Sequence, residues 1–574
     1  MERRQREAER ALHDQTDILP LGRLLVVLST LAITLLITFI DQNGIAVTLP
    51  TIANDIDAGD TISWAGTSSL IANTTFQMLY GRLSDIFGRK VVFLSATGLL
   101  SLAALMCGLS RSPAMFYVFR GVAGIGGGGI SNLAMIIVSD IVALEQRGKY
   151  QGVLGAMVGL GNVAGPFLAA AFIAGTGSWR GFFFTVCPLA ALVGAIAFSM
   201  LPSNPRSAGV RESISKIDFA GVLLSSVAVI FLLIPISGGG AYFPWDSPIV
   251  ISMLIIGAVS LVLFVVVELK IARLPMIPVQ MFSNPCVATL LIQSFLLGSV
   301  YQSHLYYLPL YLQNAHGFSV VESAGFLSIT VSAQAVFSIL SGQYISWTKR
   351  YGEVIWCGFG TWTLGCGLTL LVTRTTPAPV IAAPLLLIGV GVGFIFQPTL
   401  VALQAHVSRD RRAVIISNRN FARCAGGAVG LAASASVLQA VLRAQLPDGF
   451  QGLADKSYAG GGEERAVEMV LDAYMAASRG VFILQIPFIG LCLLGCIFLK
   501  DRGLGHPEDR GEQGRLGQRS RKGSTLSGGS SGSHDCGGGL GESPLTLEET
   551  PWVGRVDTEV LARSNSSQDT RVTA

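Results

Sequence analysis

Residues 81–90 read GRLSDIFGRK. Two glycines seven apart frame the acid Asp85, and the stretch ends on Arg89-Lys90. It lies between apolar runs at about 62–81 and 91–110. Each is roughly the 20 residues a helix needs to cross a bilayer core. Gly81 and Gly88 permit a tight turn between the two helices. Asp85 is placed to accept from an arginine or from a facing helix N-terminus. Taken alone, the stretch also reads as a plain cation-rich loop on the cytosolic side of a membrane. The rest of the chain decides between these readings.

Of the 574 residues, 51% are apolar and 13% charged, against about 25% charged in an average globular protein. Apolar runs recur fourteen times, at about 24–45, 62–81, 91–110, 114–139, 150–174, 182–202, 218–238, 248–269, 287–312, 323–346, 354–373, 379–404, 413–440 and 480–499. The fold expected is therefore an all-α polytopic membrane protein with fourteen transmembrane helices. The N-terminal segment and the loops after even-numbered runs hold 20 Lys and Arg, and the opposite loops hold 7. That bias places both termini in the cytosol. The first 21 residues are polar, and the run after them is long enough to span, so no cleavable signal is expected. Residues 501–574 hold fourteen glycines and no apolar period. A disordered cytosolic tail is expected there.

Composition excludes several function classes. A net charge of +4 is too small to argue for nucleic acid. The nine cysteines show no C-x-x-C spacing and mostly sit inside apolar runs, where they read as small apolar residues. The six histidines show no H-x-x-x-H spacing, and only His304 lies well inside a run, with no acid beside it. No metal, cofactor or enzymatic centre is expected.

The order G-x-x-x-D-x-x-G-R-K at Gly81, Asp85, Gly88, Arg89 and Lys90 resembles the signature loop of the major facilitator superfamily of secondary transporters. Other stretches share the likeness. Gly152, Gly161, Gly165 and Pro166 resemble that superfamily's antiporter motif, although Ala169-Ala170 stands where its glycine pair is expected. IDQNGIAVTLPTIAND, 40–55, resembles L-D-x-T-I-V-N-V-A-L-P in Asp41 and Pro50 but departs from it at Gln42-Asn43-Gly44. SWRGFFFTVCPLA, 178–190, resembles W-R-W-x-F-x-I-N-x-P. The run count and SDIVALEQRGKYQG point to the fourteen-span drug:proton antiporter group in its fungal branch.

The resemblance implies two six-helix bundles, 22–202 and 286–500, joined by a linker at 203–285 that carries two extra spans. A cytosolic segment, 1–21, precedes them. It implies a monomer that exports small organic compounds against protons by alternating access, in the plasma membrane first and the vacuolar membrane second. Vacuolar basic amino acid transport and siderophore transport by the same superfamily are the alternatives. A receptor or a membrane-embedded enzyme is the reading from outside the class.

FRGVAGIGGGGI, 119–130, contains a formal G-x-G-x-x-G. A dinucleotide loop needs a strand before it, and none is expected here. Gly124 and Gly128 lie four apart and offer a small-x-x-x-small face for helix packing. The faces Gly155/Gly159 and Gly161/Gly165 of the next run are the expected complement. Arg120 lies inside a span, where an unsatisfied charge costs about 2.5–3.5 kcal/mol, so it needs an interior partner. Asp41 also lies inside a span, where it is either a proton-loading carboxylate or a local cap before Pro50. Each charge is expensive alone and each can compensate the other. The resemblance implicates Arg120 in proton coupling.

Asp140 is placed to reach the loop cations, either as a plain surface ion pair or in the charge relay that the resemblance implies. Arg419 and Arg423 sit i, i+4 on one helix face, where the R-x-x-G-G likeness at 423–427 suggests a gate or a substrate contact and their length equally allows helix-end snorkelling. Gln302 and His304, in the most polar run of the C-terminal half, are either a substrate lining or packed polar residues.

Overall fold

The computed structural model describes residues 19–202, 217–238, 244–445, 464–501 and 503–504. They form fourteen α-helices: α1 Leu21–Asp55, α2 Trp64–Phe87, α3 Arg89–Gly108, α4 Pro113–Ile141, α5 Leu144–Thr176, α6 Arg180–Met200, α7 Phe219–Gly238, α8 Pro248–Lys270, α9 Pro285–His316, α10 Val320–Thr348, α11 Gly352–Thr369, α12 Ala378–Ala405, α13 Arg412–Gln445 and α14 Glu464–Gly495. Each overlaps one of the fourteen apolar runs. The tail expected beyond residue 504 and most of the N-terminal segment lie outside the described residues.

Twelve of these helices are long and apolar enough to cross a membrane. The two exceptions, α2 and α11, were both expected as spans. α11 is long enough at 18 residues, but Glu353 and the helix's glycines and threonines lower its hydropathy. α2 is diluted by Asn73, Thr74, Thr75 and Gln77, which turn inward and bond to backbone or to one another. A second difference concerns the loop expected at 441–479. α13 continues to Gln445 and α14 already begins at Glu464, so most of the described part of that loop is helical. At this loop the apolar runs marked only part of longer helices.

Local chemistry sets the helix ends. Ser112 accepts from the Met115 amide with Pro113 as first helical residue, and Asn284 caps α9 ahead of Pro285 in the same way. Ser319 and Glu322 form a reciprocal capping box on α10. Between α2 and α3 the turn is a single residue, Gly88, at φ +91°. That is a region of backbone space where only glycine is unstrained.

In the first half α1 packs on α5, α2 on α4, and α3 on α4 and α6. In the second, α9 packs on α13 and α14, α10 on α12, and α11 on α12 and α14. α7 and α8 pack on each other, and α7 also lies against α2 and α13. The halves meet along two seams, α5 with α10 and α2 with α13.

Candidate functional site

Asp41 on α1 and Arg120 on α4 face each other in the middle of the first half. An Arg120 Nη donates to Asp41 Oδ2 at 2.9 Å, and both side chains are 1% exposed. Five glycines of α4 make room for this. A Cβ at Gly124 would strike the Ser69 backbone of α2, and one at Gly128 would press on Asn73 at 3.1 Å. A Cβ at Gly126 would meet α3 at Ala96 and Leu100, both at 2.8 Å, and one at Gly127 would meet Gln42 of α1 at 2.6 Å. One at Gly129 would meet Tyr80 of α2 at 2.5 Å and Ala96 at 2.7 Å. The glycines let α1, α2 and α3 close on α4, packed as helix faces. The second carboxylate oxygen, Oδ1, and Arg120 Nε are buried with no hydrogen-bond partner. The pair is therefore sealed but not saturated, and a proton on Asp41 has an oxygen to occupy.

The packing partner expected for Gly124 and Gly128 was α5, and it is α2. On α5, Gly152, Gly155 and Gly159 face α10, at Ser338, Gln397 of the adjoining α12, and Ala335. Gly161 and Gly165 face α1, where a Cβ would meet Phe39 at 2.7 Å and the Ile40 carbonyl at 2.7 Å. Pro166 follows inside the helix. The antiporter-like stretch thus lines two different contacts, with the first half's own α1 and with the second half's α10. Spacing identified the small faces but carried no information on which helix opposes them.

The turn at 81–90 is a charge network. Arg89 donates from Nε to Asp140 Oδ2 at 2.8 Å and from Nη1 to Asp85 Oδ1 at 2.7 Å and Ser84 Oγ at 2.6 Å. Arg82 lies 3.9 Å from Asp85. Asp140, at the end of α4, also faces Arg412 of α13 at 3.7 Å, so the network crosses from one half to the other. Gly81 sits at that crossing, where a Cβ would collide with the Ser417 side chain of α13. Lys90 departs from the expected network, because its ammonium lies over the Phe198 ring at 5.1 Å. A strap between α8 and α9 covers the same end. Arg82 Nε donates to the Pro275 carbonyl at 2.8 Å, and Asn418 of α13 donates to the Met276 carbonyl at 3.2 Å.

Arg419 and Arg423 share one aromatic ring. Both guanidiniums lie 5.7 Å from the Phe396 centroid. Arg419 also donates to the Phe396 carbonyl at 2.6 Å, to Thr399 at 3.3 Å and to Asn420 at 3.2 Å. Gln302 lies beside Gly427 of α13. His304 points elsewhere, with its ring 6.4 Å from Phe482 of α14. The structure therefore does not bring His304 together with the arginine pair.

Sequence reasoning missed a chain of neutral side chains across the middle. Asn43 of α1 donates to Asn162 of α5 at 2.8 Å. Asn162 donates to the Tyr301 hydroxyl of α9 at 3.2 Å, and Tyr301 donates to Gln334 of α10 at 2.9 Å. Asn132 of α4 makes a second link, donating to Ser417 at 2.7 Å and accepting from Asn420 at 3.1 Å. The available signal was the departure at Asn43, a polar residue at mid-helix where the likeness breaks.

A sequence model of the Major Facilitator Superfamily matches residues 31–431. Among curated proteins, the chain is 47% identical to "Citrate exporter 1" of Yarrowia lipolytica over 86% of this chain and 74% of the relative. It is 40% identical to "MFS-type transporter clz4" of Cochliobolus lunatus, over 86% and 89%. It is 30% identical to "Efflux pump dotC" of Dothistroma septosporum, over 74% and 73%. Among solved structures, the human organic anion transporter MFSD10 matches 84% of this chain and 100% of its own with a TM-score of 0.56 at 15% identity, a likeness of fold alone.

Proposed function

The chain belongs to the Major Facilitator Superfamily, and from that premise we propose that it exports small organic compounds by proton-coupled alternating access. The observation that carries the reading is the buried Asp41–Arg120 pair. A carboxylate locked to an arginine at membrane depth can exchange between two states. Ionised, it satisfies the arginine. Protonated, it releases it. A proton arriving at Asp41 then frees Arg120 to find another partner, and that exchange can be linked to helix movement. The driving force available is about 2.3 kcal/mol per proton per 100 mV, plus the pH gradient.

In this reading the two halves are six-helix bundles, and α7 and α8 are an inserted pair. The end bearing the 81–90 turn faces the cytosol. The Asp85–Arg89–Asp140–Arg412 network and the strap hold that end shut, and the cargo path opens on the other side. Relatives named as a citrate exporter and as an efflux pump support export of organic compounds. Efflux of a loaded compound from proteoliposomes under an imposed pH gradient tests the proposal. Transport indifferent to the gradient overturns the coupling.

A further inference from the structure

We propose that Arg423, steadied by Arg419 one helical turn away, binds the carboxylate groups of an organic anion carrying at least two negative charges, and that such anions are the cargo. The assignment rests on the exporter reading above and adds the cargo class to it.

The argument is one of charge accounting. Among the described residues, other inward-facing cations are held by protein groups, and Arg479 of α14 donates to the Val372 carbonyl. Asp41 holds Arg120, Asp85 and Asp140 hold Arg89, and Arg147 donates to a carbonyl and to Gln404. Arg419 and Arg423 make no ion pair with any described carboxylate, so this part of the second half carries two uncompensated positive charges. Like charges four apart on a helix repel, and arginine at depth is kept only where it has a use.

The two arginines are not equivalent. Arg419 spends both Nη groups on the protein, through Phe396, Thr399 and Asn420. It is a fixed charge. Arg423 donates no hydrogen bond to any described residue, and its Nε is closed off from solvent without an acceptor. Its one contact of note is the face of Phe396, which orients a guanidinium without using its N–H edge. An oriented planar fork with its donors unspent fits a carboxylate, which takes two of them in parallel.

The surroundings fit an anion and not a cation. Phe396 packs on Tyr301 at 4.8 Å, and Tyr301 is held by the neutral donors and acceptors Asn162 and Gln334. Gln302 stands beside Gly427 on the same helix as Arg423. Arg423 lies eleven residues into α13, about 16 Å along the helix and so near the middle of a core about 30 Å thick. A cationic cargo would meet two arginines there. A neutral one would leave both without counter-charge.

The test uses the full chain, purified in detergent, with equilibrium binding of radiolabelled citrate as probe. Competition is expected in the order citrate, succinate, acetate, with free arginine inert, and binding should weaken as salt rises. Arg423→Gln should lower citrate affinity at least tenfold. Arg423→Lys, which keeps the charge and loses the fork, should fall between. Elution profile and thermal unfolding establish that each variant folds. If Arg423→Gln does not fold, Arg423→Lys and the competition order decide. Citrate that does not bind the wild type, or that binds both variants equally, overturns the assignment. Gradient-driven efflux of a neutral or cationic compound, with no anion binding, overturns the cargo class and leaves the exporter reading standing. Citrate binding lost in Arg423→Gln, with no gradient-driven flux of any probe through the wild type, supports the site and overturns the coupling.

Discussion

Asp41 and Arg120 are the residues on which the coupling reading depends, and each variant separates a different part of it. Asp41→Asn removes the titratable group and leaves Arg120 charged and buried. Stability should fall by about 3–5 kcal/mol, the usual cost of breaking a buried pair from one side, and gradient-driven efflux should vanish. The double variant Asp41→Asn/Arg120→Gln removes the stranded charge and should recover part of the stability and none of the coupling. Arg120→Lys keeps the charge but loses the planar fork, so efflux should be impaired rather than normal. Thermal unfolding and proteoliposome efflux measure the two quantities separately. Full gradient-driven efflux by Asp41→Asn would place the proton site elsewhere. This pairing was legible in the sequence because charges inside spans are scarce and expensive, and the first half offers one acid and one base at that depth. The Asn43–Asn162–Tyr301–Gln334 chain was not legible. Neutral amides and hydroxyls cost little in a span, occur on most helices here, and give no hint of which helix they face.

The element that joins α2 to α3 is small, but its energetics are shared between the halves. Gly88→Val places a β-branched side chain at φ +91°, where no such residue is at ease. Asp85→Asn removes one acceptor of Arg89. Both should abolish transport at normal membrane abundance, as measured by efflux against quantified protein. Normal export by either would reduce the turn to an orienting anchor. Asp140 and Arg412 sit 3.7 Å apart on helices of different halves. A cycle of Asp140→Asn, Arg412→Gln and the double variant should show coupling of about 0.5–3 kcal/mol in transport rate, and strict additivity would separate the two residues functionally. The motif itself told where the turn and its charges lie. It could not tell that Arg412 and the Pro275–Met276 strap reach the same point, since those contacts come from more than a hundred residues away.

At the scale of the molecule, orientation is the property most open to test. With α2 and α11 both counted as spans or both left out, the number of crossings is even, which fits the proposal that the two ends share a side. A cysteine at Ser84 should resist an impermeant thiol reagent added to intact cells, and a cysteine at Asp472, beside Arg374, should react. Modification at 84 from outside inverts the arrangement proposed here. The all-helical class and the helix count were readable from composition and run length. Helix ends were less so, because hydropathy senses the hydrocarbon depth, whereas α1, α5 and α14 continue beyond the apolar runs.

The contact between α5 and α10 has one more consequence. Gly148 meets Gly342 backbone to backbone, Gly152 meets the Ser338 carbonyl and Gly159 meets Ala335. Interlocked side chains would act as teeth, and a shift past one another would require each to jump a rotamer. At these glycines α5 contributes none, with Ser338 and Ile345 of α10 lying against its backbone, so the helices form a bearing that can shear while staying in contact. Its smoothness then sets how fast the carrier cycles, independently of how tightly it holds cargo. Gly152→Leu adds a tooth and should slow turnover severalfold with cargo affinity unchanged; an unaltered rate in a folded variant would show that the bearing stays still.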